Sequence, residues 1–181
     1  MRFIITALIF LAVPVAAQNL SSDYEQIGEI LVTMDGEDMS FPVVVDLVQG
    51  SSQSFSIDST GMNSVGVTGF LLNENGEPSS TVFTIGVVYR GTSLVMPMSA
   101  EFKEDGINSK SLAIADGELS SIVITDFVES ENNTFEFGFS GMLVHATYDE
   151  TWDLTVDEGA APIAVSGSVS VVIPAEFHSE S

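Results

Sequence analysis

Two acidic turns carry the residue types that bind hard cations. Asp35-Gly36-Glu37-Asp38 and Asn73-Glu74-Asn75-Gly76-Glu77 each put several carboxylate or carboxamide oxygens on one tight loop. Calcium takes roughly six to eight such oxygens, so Asp35, Glu37, Asp38, Asn73, Asn75 and Glu77 are the candidate ligands. Neither turn follows EF-hand spacing, because the closing Glu is missing.

Paired carboxylates suggest a second chemistry. Glycoside hydrolysis needs two acids roughly 5–9.5 Å apart across a sugar. Asp46, Asp126 and Asp153 sit within or beside apolar stretches that would hold them in place. Trp152, beside Asp149 and Tyr148, supplies the aromatic surface a carbohydrate cleft uses, so Tyr148 and Trp152 form the candidate ligand platform.

Nucleophilic catalysis finds less support. It needs a nucleophile, a base and an orienting group, and the chain has only 2 His. His178 lies close to the C-terminus, where fraying is expected. His145 is in register with Phe137, Phe139 and Leu143, which predicts an inward or edge histidine. With no Cys, thiol chemistry and a typical zinc site both fall away. No phosphate-cradling glycine loop is present either. The sequence assigns no catalytic or cofactor-binding residue; calcium is its one cofactor candidate.

Charge narrows the partners. The formal net charge is −22, from 26 acidic and 4 basic residues. Arg2 belongs to the leader described next, which leaves Arg90, Lys103 and Lys110 as cations. No basic patch can neutralise phosphates, so nucleic acid is excluded as a partner. An anionic membrane surface is repelled for the same reason. Cations and basic protein surfaces are attracted, and a carbohydrate partner stays compatible. The same charge also keeps a protein dispersed.

The N-terminus reads as an export signal. Met1-Arg2 is followed by an apolar run from Phe3 to Val15 and by the small residues Ala16-Ala17. That layout predicts a signal peptide over 1–17 and a mature chain from Gln18. The apolar run is shorter than the roughly 20 residues a spanning helix needs. The expected organisation is a leader followed by a single all-β domain over 18–181, in the periplasm or outside the cell. Exported domains of this kind often lean on disulfides. This one must rely on its core, and 45% hydrophobic residues are enough to build one.

The elements that would position these residues are short strands. Apolar stretches alternate with turn residues along the whole chain, and helical spacing is scarce. Asp35-Gly36 predicts a hairpin between Ile30–Met34 and Ser40–Val48. Further strands are expected over Ser52–Asp58, Val65–Leu72, Thr81–Tyr89, Val95–Lys103, Leu112–Ala115, Ser120–Glu129, Thr134–Tyr148 and Ala164–Ile173. Phe135, Phe137 and Phe139 mark an inward face, with Glu136, Gly138 and Ser140 outward. Short helical turns are admitted only at Asn19–Ile27 and Asp153–Gly159. The expected fold is an antiparallel β-sandwich of roughly 8–10 short strands, with a closed β-barrel as the alternative. The expected role is a non-catalytic binding or structural module. A carbohydrate-active enzyme using paired carboxylates and a small outer-membrane barrel are the rivals.

Overall fold

A computed structural model describes residues 19–91, 94–104, 111–114, 121–148, 154–157 and 159–180. The expected leader over 1–17, Trp152 and Asp153 lie outside the described residues. The strands are β1 (Tyr24–Met34), β2 (Glu37–Asp46), β3 (Ser51–Ser52), β4 (Phe55–Asp58), β5 (Asn63–Leu72) and β6 (Pro78–Arg90). They continue with β7 (Leu94–Lys103), β8 (Ser111–Ala113), β9 (Ile122–Ser130), β10 (Thr134–Tyr148), β11 (Leu154–Val156), β12 (Ile163–Val172) and β13 (His178–Glu180).

The fold is all-β and sandwich-like. Its hydrogen-bonded path runs β13-β4-β5-β6-β7-β8-β10-β12-β1-β2-β3, with β9 and β11 also paired to β10. The path is not closed, which overturns the barrel alternative. A membrane barrel needs closure to leave no unpaired edge in lipid. All the ladders are antiparallel except β13 on β4, which is parallel.

Strand β10 belongs to both layers. Its first part, Thr134–Leu143, pairs with β12 on one side and with β9 on the other. Its last part, Val144–Tyr148, pairs with β8 and β11. Thus β8 and β9 follow one another along one flank, and β11 and β12 along the other. The first layer holds β9, early β10, β12, β1, β2 and β3; the second holds β4 to β8, late β10, β11 and β13.

Between the layers, aromatic rings set the spacing. Phe83 from β6 stacks on Phe139 from β10 at 5.5 Å between centroids and meets Phe41 from β2 at 5.9 Å. Tyr89, Phe127 and Phe135 make a second group, with Tyr89–Phe127 at 4.8 Å. Phe41, Phe83 and Tyr89 are fully buried. Truncating such a ring costs about 3–5 kcal/mol, a large share of what holds a domain of this size.

The chain crosses between the layers at Ser54. Residues Ser52–Asp58, expected as one strand, are broken there: β3 pairs with β2 in one layer and β4 with β5 in the other. Ser54 is buried, and its Oγ accepts the Thr68 N–H at 2.9 Å, so the crossing leaves no polar group stranded. Nearby, β2 rides directly over β5. A Cβ built on Gly69 would lie 2.6 Å from the Phe41 carbonyl oxygen, so only glycine lets the backbones approach this closely.

Other expectations are corrected too. Residues from Tyr24 to Ile27 are strand, not helix, because they continue the β1–β2 ladder down to Tyr24↔Asp46. Leu154–Val156 likewise extends along β10 instead of coiling. The C-terminal segment is paired as β13 instead of fraying. Leu47 and Val48 fall outside β2 and are exposed.

Gly69→Ala is expected to destabilise the fold by about 1–3 kcal/mol, the usual cost of forcing atoms into a packed contact. Urea unfolding of the two chains checks this. A midpoint unchanged at constant slope would remove the close approach of β2 and β5 from the account.

Candidate functional site

The corner where β10 passes between layers holds a hollow of about 410 Å³. Its apolar lining comes from Met34 of β1, Met39 of β2, Phe102 of β7, Leu112 of β8 and Ile163 of β12. Asp35, Glu37, Glu104 and His145 also line it. The turn explains two of the carboxylates. Asp35 and Gly36 both have positive φ, 51° and 82°, and so close a tight two-residue loop between Met34 and Glu37. The Asp35 N–H is anchored on the Ala164 carbonyl at 3.3 Å, which fixes the hairpin tip beside β12.

His145 is half-buried, and its carbonyl accepts the Asp157 N–H at 2.8 Å. The inward alternation that runs through Phe139 and Leu143 shifts phase, since Ala146 and not His145 is the next buried residue. That phase shift, where β10 changes partners, places the imidazole at the hollow.

The acidic turns separate in role. Asp35 and Glu37 line the hollow, while Asp38 accepts a hydrogen bond from Thr33 Oγ1 at 2.6 Å. In the second turn, Asn73 Oδ1 accepts the N–H groups of Asn75 and Glu77 at 2.8 and 3.1 Å. Its Nδ2 donates to Glu77 Oε2 at 3.0 Å. The Asn73 side chain therefore shapes its own turn. Among the described residues, no three His, Asp or Glu side chains gather closely enough to hold a metal ion.

Of the carboxylates considered for sugar chemistry, Asp153 lies outside the described residues, and Asp46 and Asp126 lie far apart. Asp46 is on β2, where its Oδ1 accepts the N–H groups of Val48 and Gln49 at 2.9 and 2.8 Å. Asp126 is in β9, at a bulge with φ 52°. The order β9-β10-β12-β1-β2 separates them by four strand spacings, about 19 Å at ~4.8 Å each. That exceeds the roughly 5–9.5 Å the chemistry requires. One partner of the aromatic platform, Trp152, lies outside the described residues. The other, Tyr148, has a cation on its ring: Lys103 Nζ sits 4.8 Å from the centroid and 3.0 Å from Glu101 Oε2.

A Ser–His–Asp grouping forms elsewhere. His178 Nδ1 is 2.9 Å from Ser56 Oγ, and its Nε2 is 3.6 Å from Asp58 Oδ2. Ser56 is only 1% exposed, so its hydroxyl faces no substrate. The grouping fastens the C-terminal strand and does not present a nucleophile. A second hollow, about 520 Å³ over β1, β2 and β12, is lined by Leu31, Met39, the hydroxyls of Thr33, Ser40 and Ser168, and a single carboxylate, Asp38.

Sequence reading missed Glu104, Met39, Phe102 and Ile163 as a group. Each reads only as a turn or strand residue, and the topology alone gathers them. No family model, curated protein or solved structure matches the chain.

Burial, then the neighbouring Glu101, pushes the Tyr148 hydroxyl up to about 12. Tyr89 is raised further, first by burial and then by the Glu129 carboxylate that accepts its hydrogen bond at 2.8 Å. A tyrosine raised in the folded state stabilises fully below its unfolded value of about 10, and that stability is lost as pH climbs through the folded value. Stability should therefore fall from pH ~10 upward, and Tyr148→Phe should flatten the slope between pH ~10 and 12. Unfolding midpoints at stepped pH check this; an identical slope in the variant would rule out the Tyr148 contribution.

Proposed function

We propose that this chain is an exported, non-catalytic binding module whose corner hollow takes a cationic, partly apolar group from a basic protein surface. The single observation that carries this reading is the lining of that hollow. Met34, Met39, Phe102, Leu112 and Ile163 line it together with the carboxylates of Asp35, Glu37 and Glu104. No lysine or arginine is among the described lining residues.

A lysine or arginine side chain matches this composition. Its aliphatic stem gains about 25 cal/mol for each Å² of apolar surface it buries, while its charged head stays among carboxylates. The net charge of −22 would draw such a partner from a distance and speed encounter at low salt. The protein's own nearest described cation, Lys103, is engaged by Glu101 and Tyr148. The leader-like N-terminus supports export to the periplasm or outside the cell.

A lysine-rich peptide titrated into the protein by calorimetry tests the reading. Neutralising the hollow with Asp35→Asn, Glu37→Gln and Glu104→Gln should weaken binding about tenfold or more, given ~0.5 kcal/mol for each charge. A charge-matched control, Glu25→Gln with Glu74→Gln and Glu131→Gln, should retain most of the affinity. Equal loss in both would mean diffuse attraction to the whole surface and would end the pocket assignment.

A further inference from the structure

The β1–β2 ladder has the corner hollow at its Met34–Glu37 end and a smaller pocket, about 210 Å³, at the other. The ladders place its residues. Tyr24 on β1 lies opposite Asp46 on β2, and Asp46 lies opposite Ser51 on β3. Side chains paired in this way stand on one face of the sheet, roughly 5 Å apart. Phe70 of β5 and Pro78 of β6 join the lining from the second layer, and Gln49 and Gln53 flank β3.

Backbone contacts hold this pocket in shape without a ligand. The Leu47 N–H donates to the Asp23 carbonyl, and the Ser21 N–H to the Gly76 carbonyl, both at 2.8 Å. The segment before β1 is thereby tied to the end of β2 and to the β5–β6 turn. Asp46 Oδ1 accepts the N–H groups of Val48 and Gln49, which fixes the turn that carries Gln49. The Ser52 hydroxyl is engaged too, accepting the Ser54 N–H at 3.0 Å and donating to the Val44 carbonyl at 3.4 Å. Asp46 Oδ2, the Ser51 hydroxyl and the carboxamides of Gln49 and Gln53 remain to face a ligand.

We propose that this pocket is a binding site for a neutral saccharide, one ring of which packs on Tyr24 while its hydroxyls meet Asp46, Gln49, Gln53 and Ser51. A sugar ring has an apolar C–H face and an edge of hydroxyls that both donate and accept. The lining matches both parts. Tyr24 is half-buried, so part of its ring stays reachable beside Phe70 and Pro78. Carboxamides and hydroxyls donate and accept, and the carboxylate accepts. No lysine or arginine lines the pocket, and the chain's charge of −22 repels anions, so an acidic saccharide is disfavoured. One carboxylate with an oxygen already engaged supplies too few ligands for calcium. Asp46 is also the single carboxylate among the described lining residues, so the pocket binds a sugar without hydrolysing it. The volume lies below that of pockets enclosing drug-sized ligands and suits a single ring.

Glucose, galactose and mannose, each titrated into the isotopically labelled protein and followed by NMR, test the assignment; about 50 mM reaches millimolar affinities. At least one should give saturable shifts centred on the amides of Tyr24, Asp46, Ser51 and Gln53. The amides of Met34 and Leu112, at the corner hollow, should not move. Tyr24→Ala should weaken that binding about tenfold by removing the ring surface. Gln49→Ala combined with Gln53→Ala should weaken it similarly and leave the unfolding midpoint unchanged, since both residues are exposed. That pair keeps loss of binding distinct from loss of folding. The uronic acid of the sugar that binds should bind several-fold more weakly. No saturable shift with any of the sugars, shifts centred elsewhere, or an affinity unchanged in both variants would overturn the site. An equally tight uronic acid would overturn its preference for a neutral ring.

Discussion

The layer arrangement depends on one strand satisfying hydrogen bonds in both layers. β10 gives its first ten residues to β12 and its last few to β8 and β11. A buried backbone group left unpaired costs a few kcal/mol at most sites, so a strand of this length cannot change layers without partners ready on each flank. The interrupted strands β8–β9 and β11–β12 provide them. They fix where the layers diverge, and the hollow lined by His145, Phe102 and Ile163 is the space that divergence leaves.

A chain without disulfides and with a charge of −22 must keep its core dry and its repulsion outside. The aromatic groups around Phe83 and Tyr89 do the first. Surface carboxylates repel one another; among the described residues, Glu101 is offset by Lys103 at 3.0 Å, and that pair is largely buried. Pairs between solvent-exposed charges add less than about 1 kcal/mol each. The core, and not charge pairing, therefore holds the fold. Among the described residues, the lining of the hollow carries Asp35, Glu37 and Glu104 with no lysine or arginine beside them.

Much of the fold was legible because strand period is two. Asp35-Gly36 marked its hairpin correctly, and Phe135, Phe137 and Phe139 marked their inward face. The break at Ser54 was hidden because Ser52, Ser54 and Ser56 keep the alternation unbroken through the layer change. β13 was hidden by its length: three residues carry no period, and proximity to the terminus argued for fraying. His145, expected inward or at an edge, is half-buried at the hollow; the phase shift before Ala146 that turns it there is not visible in alternation counted from Phe137. The hollow was invisible for a different reason. Met34, Phe102 and Ile163 each look like ordinary inward residues, and only the ladders bring them together.

The pairing of β1 with β12 also bears on how the chain reaches its fold. Gly28 lies opposite Val171, so the first strand finds one of its two neighbours only near the end of the chain. Contacts of such separation slow folding, because a long loop must close before they stabilise anything. The β1–β2 hairpin can form early, but its second edge stays bare until the last strands emerge. Assembly of the first layer is therefore tied to a single late event, the arrival of β12 between β1 and β10, so substitutions in that seam should act on the rate of folding as well as on its end point.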